Sequence, residues 1–284
     1  TVTLGGTVVS VVTGGGPVIP VVSTVINVLD QDTITLECRG CVGGETETIM
    51  LPGNVPLVMT WIPEGTFNMG RNLGEQDSAN DEDPQHQVWL SHGFWLGKYE
   101  VTQAQWKALM SGANPSSFTG DHRPVERVSW NDIQAFIAAL NSSTDKNFRL
   151  PTEAEWEYAC RAGTNKRFYW GDDADYTAIK SYAWYGSNSD GQTHDVGSKL
   201  PNAWGLYDMA GNVLEWCQDW CHPNYLIAPT DGSAWEIPAG TVRVVRGGGW
   251  NSGTGGRADE CRSANRDWRL PSKSDSFIGF RLAR

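Results

Sequence analysis

Apolar and polar positions follow two regimes along the chain. Through residues 1–55, short β-branched runs such as Val8-Val9-Ser10-Val11-Val12 and Thr33-Ile34-Thr35-Leu36 are interrupted by Gly and Pro. Runs of that kind between turn formers predict short strands. Further on, Ile133, Phe136, Ile137 and Leu140 stand at i, i+3, i+4 and i+7, with Ser129 ahead of them. That spacing places one apolar stripe on one capped helix. Thr102 with Gln105 forms a capping box before Trp106, Leu109 and Met110, and Thr152 with Glu155 forms another before Trp156 and Cys160, so two more helices are expected. Gly, Pro, Asn and Asp clusters punctuate the remainder. The pattern predicts an α+β fold, loop-rich with few helices, over residues 56–284, preceded by a small N-terminal β annex over residues 1–55.

Composition sharpens this picture. All 14 Trp residues follow residue 55; a large, stiff apolar side chain suits a core built from loops. The net charge of −11 argues against binding a phosphate backbone and is read as a solvated acidic surface. Asp81-Glu82-Asp83 is read in the same way, as an acidic turn. No run of 18 apolar residues occurs, so no transmembrane segment is expected in this stretch. The chain opens on Thr1 without Met, as a processed product would, and any signal or lipid anchor is expected upstream. Six cysteines fit an exported protein, with a cell-surface location expected. Cys38 with Cys41 and Cys217 with Cys221 each lack a matching second pair, and no two His residues stand in zinc-site spacing, so zinc is not expected. The acidic balance and the absence of heptads point to a monomer.

Several ordered motifs carry a resemblance. Met59-Thr60-Trp61-Ile62-Pro63-Glu64-Gly65-Thr66-Phe67-Asn68-Met69-Gly70, Lys98-Tyr99-Glu100-Val101-Thr102 and Pro124-Val125-Glu126-Arg127-Val128-Ser129-Trp130 come first. Arg149-Leu150-Pro151-Thr152-Glu153-Ala154-Glu155-Trp156 and Asp208-Met209-Ala210-Gly211-Asn212-Val213-Leu214-Glu215-Trp216 follow, and Arg246-Gly247-Gly248 and Gly279-Phe280-Arg281 close the series. Together they resemble the formylglycine-generating-enzyme (sulfatase-modifying factor) family over about residues 57–284. The resemblance implies that family's elaborated C-type lectin fold. The family's oxidase uses two cysteines four residues apart after the Arg-Gly-Gly motif. Here Gly249 to Glu260 contains no Cys, and Cys261 stands alone. One thiolate cannot rebuild a two-thiolate soft-metal site, so an oxidative enzyme of this class is the less favoured alternative. A link like one in the catalytic family would bring Cys160 within bonding range of Cys261. The resemblance also implies structural calcium held by the side chains of Asp208 and Glu215 and the carbonyls of Gly211 and Val213. The residues themselves fit a metal-free, hydrogen-bonded loop equally well, and no other cofactor is expected. Trp130-Asn131-Asp132 matches a string known from sugar-binding lectins, but at a helix start Asp132 is read as a capping residue.

The ending, from about residue 246 to 284, is similar to that of the variable proteins of diversity-generating retroelements. In that class a fixed framework carries diversified positions. Trp250, Arg262, Arg266, Pro271 and Phe280 are expected to be framework, buried or hydrogen-bonded. Ser252, Gly253, Gly255, Gly256, Asp259, Glu260, Asp267, Trp268, Leu270, Ser272, Ser274, Asp275 and Phe277 are expected to share one exposed ligand-binding face. Trp268 and Phe277 would anchor a protein or other macromolecular ligand, and Asp267 and Asp275 would disfavour acidic partners. The function expected is non-catalytic ligand binding and display.

Overall fold

The computed structural model describes residues 43–252 and 258–284 throughout, and before them the backbone of four strands. The chain divides into two units, Thr1–Val42 and Gly43–Arg284. In the first, β1 (Val2–Leu4) pairs antiparallel with β2 (Thr7–Val9), and β3 (Val25–Asp30) with β4 (Thr33–Glu37). Cys38 and Cys41 lie outside the described residues.

The second unit starts earlier than the composition suggests. β5 (Thr46–Leu51) and β6 (Val55–Ile62) form a hairpin, with Leu51 opposite Val55 and Thr46 opposite Thr60. Gly53 and Asn54 turn it with φ of 78° and 60°, the left-handed region that Gly and Asn tolerate best. Ile49 and Leu51 are buried in the main core. The expected boundary at residues 55 and 56 therefore falls inside a hairpin. Alternation in Thr46–Leu51 carries the strand, and its Thr- and Glu-rich outer face hides it in a compositional reading.

Each capping box opens a helix where the sequence places one. Thr102, Ser129 and Thr152 accept hydrogen bonds from the N–H of Gln105, Asp132 and Glu155 and start α1 (Gln103–Leu109), α2 (Trp130–Thr144) and α3 (Glu153–Arg161). The α2 stripe is buried at Ile133, Phe136, Ile137 and Leu140. Trp106 of α1 stacks on Phe136, ring centroids 5.1 Å apart, and Phe280 meets Phe136 edge-on at 5.4 Å. With Trp216 and Val245 they form the main core. Deleting such a buried ring costs about 3–5 kcal/mol.

Further strands complete the unit. β7 (Gly65–Met69) pairs with β8 (His86–Leu90), and β9 (Phe94–Gly97) joins β6. β10 (Leu214–Trp220), β11 (Arg243–Arg246), β12 (Asp267–Arg269) and β13 (Ile278–Gly279) form one sheet in the order β12-β11-β10-β13. The last residues close the unit. Ala283 exchanges backbone hydrogen bonds with Arg149, and Gly97 N–H donates to Leu282. Three short α-helices, several small sheets and long connections, among the described residues, make the α+β, loop-rich fold expected.

Candidate functional site

The C-terminal segment is built on buried guanidinium groups. Arg262 is 1% exposed and grips Glu82 through both terminal nitrogens at 2.8 and 2.5 Å, with Glu75 at 2.9 Å. Arg266 holds Glu153 at 2.7 and 2.9 Å and also donates to the carbonyls of Asp81 and His222. Arg246 pairs with Glu157 and bonds the Ala264 carbonyl at 2.8 Å. Arg281 holds Glu215 through two contacts of 2.6 Å. Planar two-point pairs of this kind fix geometry as well as charge. The acidic turn is therefore not solvated as expected: Glu82 is wholly buried because Arg262, 180 residues away, supplies its counter-charge.

The framework residues behave as expected. Phe280 is buried, Trp250 donates its ring N–H to the Ser276 carbonyl at 2.8 Å, and the Pro271 carbonyl accepts from Asn131 at 3.3 Å. The mixed positions split. Trp268 and Leu270 are 53% and 55% exposed, and Glu260 and Ser272 are exposed as well. Asp267, Ser274, Asp275 and Phe277 are half-buried, and Phe277 packs against the main core. Two are misplaced by the sequence reading. Ser252 is buried because its Oγ accepts the Gly249 N–H at 2.7 Å and closes the turn after β11. Asp259 is buried in the 3-10 turn Asp259–Cys261. A polar side chain can serve a turn as readily as solvent, and its type alone does not decide between them. Gly253, Gly255 and Gly256 lie outside the described residues.

The four described cysteines are free thiols. Cys160 and Cys261 are not joined; Cys160 Sγ sits 3.7 Å from Ser263 Oγ and 3.7 Å from the Met209 carbonyl. Burial pushes the Cys160 thiol up to about 11, and burial followed by the charges of Glu260 and Asp259 pushes Cys261 higher still. Neither is a thiolate near neutral pH, which is the form that attacks or binds a soft metal.

Asp208, Glu100 and Glu215 are buried around Arg281. Glu215 also accepts the Trp156 ring N–H at 2.6 Å, so its two oxygens serve Arg281 and Trp156. Asp208 accepts from Gly197 N–H at 2.6 Å, and Glu100 accepts from Asn212 at 2.6 Å and from Val213 N–H at 3.0 Å. Burial, then the charges of Asp208 and Glu215, lifts Glu100 well above the usual carboxylate range, and burial lifts Asp208 to about 6. Among the described residues no group of three or more His, Cys, Asp or Glu is arranged to hold a metal ion. The donor set fits the hydrogen-bonded loop better than a calcium ion, since a guanidinium already neutralises Glu215. An ion at about a hundred times its Kd would add about 2.7 kcal/mol. The expected result is equal unfolding temperatures in excess calcium and in chelator; a calcium-dependent rise would show that the loop takes the ion.

Glu126 lies near the same segment. Its Oε1 accepts the Phe118 N–H at 2.8 Å, Phe118 meets Trp250 edge-on at 5.3 Å, and its Oε2 is buried without a partner. Burial raises this carboxyl from 4.5 to about 7. A folded pKa above the unfolded value means the contribution is fully present below pH 4.5 and is lost as pH rises through about 7. Glu126→Gln is expected to flatten this loss and to be the more stable form above pH 7. Denaturant midpoints measured across that range check it, and parallel profiles for the two proteins would refute it.

Three comparisons place this architecture. The sulfatase-modifying factor enzyme 1-like domain matches residues 52–284. A formylglycine-generating enzyme of Streptomyces coelicolor is 36% identical over 78% of this chain and 87% of its own length. Among solved structures, PvdO from Pseudomonas aeruginosa is similar with a TM-score of 0.77 and 32% identity, over 86% of this chain and 99% of that one. Treponema denticola variable protein 1 is similar with a TM-score of 0.71 and 34% identity, over 84% and 98%.

Proposed function

The chain belongs to the sulfatase-modifying factor enzyme 1-like family, and on that footing we propose that it is a non-catalytic member that binds a macromolecular ligand through its C-terminal surface. The observation that carries this reading is the division of labour within residues 258–284. Arg262, Arg266 and Arg281 are anchored on carboxylates from distant parts of the chain, while Glu260, Trp268, Leu270 and Ser272 face solvent. Anchors of that strength let outward positions change without unfolding the domain, because exposed substitutions away from such features typically cost no more than about 0.5 kcal/mol. Similarity to Treponema denticola variable protein 1 supports a diversified segment over about residues 246–284, with a retroelement as its source. The ligand face comprises Glu260, Asp267, Trp268, Leu270, Ser272, Ser274 and Asp275. The reading needs no cofactor, and it places the protein on the cell surface after export. No helix among the described residues is long and apolar enough to cross a membrane.

The oxidative alternative calls for thiolates after Arg246-Gly247-Gly248, where the sequence from Gly249 to Glu260 has no Cys. Sequencing this locus from many cells of one population tests the display reading. Variation confined to the outward codons, with the Arg codons unchanged, is the expected result; an invariant segment would overturn it. Conversion of a substrate cysteine to formylglycine by the purified chain supplied with copper would establish the alternative.

A further inference from the structure

The sheet order β12-β11-β10-β13 leaves β12 at an edge. Edge strands present unpaired N–H and C=O groups and invite another strand. On β12 those groups are held by the side chains beside them. The Trp268 N–H donates to Asp267 Oδ1 at 2.7 Å, and Arg269 Nη1 donates to the Trp268 carbonyl at 2.7 Å. Arg269 and Asp267 also pair with each other at 2.6 Å. The clasp is exposed, and Trp268 and Leu270 beside it are more than half exposed. In a β-ladder every second residue turns its polar groups away from its partner strand, and Trp268 is the residue of β12 whose groups face outward.

We propose that this edge is a homotypic docking site, on which a second copy of the chain pairs antiparallel about a two-fold axis through Trp268. The triplet Asp267-Trp268-Arg269 is self-complementary in that register. Asp267 of one copy lies opposite Arg269 of the other, and the reverse holds on the far side of the axis. The two internal clasps, one in each copy, open and are replaced by two cross-strand ion pairs. The two Trp268 residues exchange two backbone hydrogen bonds, and their rings become cross-strand neighbours. A closed pair with one contact patch is what a two-fold interface requires. Pairing uses the backbone of the edge, so the outward faces of both copies stay available side by side. The inference does not rest on the ligand-binding reading. It revises the monomer expected from charge and heptad content, neither of which reports on a sheet edge.

A contact of three residues per copy is weak, and the net charge of −11 opposes it. Salt near 0.15 M limits that repulsion to a range of about 8 Å. Sedimentation equilibrium of the full chain at that ionic strength should show a reversible monomer–dimer exchange with Kd in the range of about 10 μM to 1 mM. Asp267→Arg places like charges on both sides of the axis and should weaken association by about tenfold or more. The double reversal Asp267→Arg with Arg269→Asp restores complementarity and should dimerise with itself but not with the unaltered chain. It also controls for folding, since it keeps both charges. An unaltered chain that stays monomeric throughout overturns the proposal and leaves the edge to a strand of another protein. Unchanged dimerisation of the single variant, or free mixing of the double variant with the unaltered chain, places the contact elsewhere and overturns it equally.

Discussion

Replacing Arg281 by Met is expected to lower the unfolding free energy by about 3–5 kcal/mol, the usual cost of stranding a buried charge. The side chain is wholly buried and holds both oxygens of Glu215, with the Glu100 and Asp208 carboxyls beside it. Met matches much of its volume but leaves Glu215 without a cation. A domain stable by about 5–15 kcal/mol loses much of its margin in this way. Pairing the change with Glu215→Gln should recover part of the loss, since Gln is neutral and can still accept the Trp156 ring N–H that Glu215 now takes. A lower urea midpoint for the single variant at unchanged slope, with partial recovery in the double, is the expected pattern. A single variant within about 1 kcal/mol of the parent would show that Glu215 does not depend on the Arg281 cation, and would remove the anchoring argument.

The second large effect is on binding. Truncating Trp268 and Leu270 together to Ala should weaken ligand binding by about 2 kcal/mol or more, roughly thirtyfold, because exposed aromatic anchors dominate such surfaces. Their exposures of 53% and 55% mean that little core is lost, so the thermal midpoint should barely move. Phe277 is left out of this variant because it packs against the main core, and its removal would mix folding with binding. Selection of binders from a display library against the parent and the double variant reads the difference. Binding unchanged by the double truncation would move the ligand face away from β12.

What the sequence makes legible follows the range of each interaction. Helices α1, α2 and α3 are visible because a cap, its reciprocal partner three residues on and an apolar stripe all lie within one short window. The family motifs are visible for the same reason. The arginine anchors are not, since Arg262 meets Glu82 across 180 residues and Arg266 meets Glu153 across 113. Nothing local distinguishes Glu82 from its neighbours Asp81 and Asp83, so a buried counter-ion reads as part of a wet turn. Ser252 and Asp259 show the converse, small polar residues spent inside turns where a surface role was expected. Trp268 and Leu270 lie exposed as expected, yet no local signal separates them from Phe277, which packs against the main core, because the side each residue faces is set by strand pairing and packing far along the chain.

The distance in sequence spanned by the anchors governs how the chain matures. Arg262, Arg266, Arg281 and Arg284 follow their partners Glu82, Glu153, Glu215 and Glu47 by long stretches of chain and are synthesised after them. Until Arg262 and Arg281 are made, the buried carboxylates of Glu82 and Glu215 lack the guanidinium that neutralises them, and Glu153 has only the longer contact to Arg246. Contacts of such long separation also slow folding. A chain cut short, or read out of frame, anywhere before Arg262 therefore lacks the groups that complete its interior. Loss of Arg262, Arg266 and Arg281 together would therefore leave Glu82, Glu153 and Glu215 buried without their main counter-charges, so the interior of the domain depends on a segment made well after the carboxylates it neutralises.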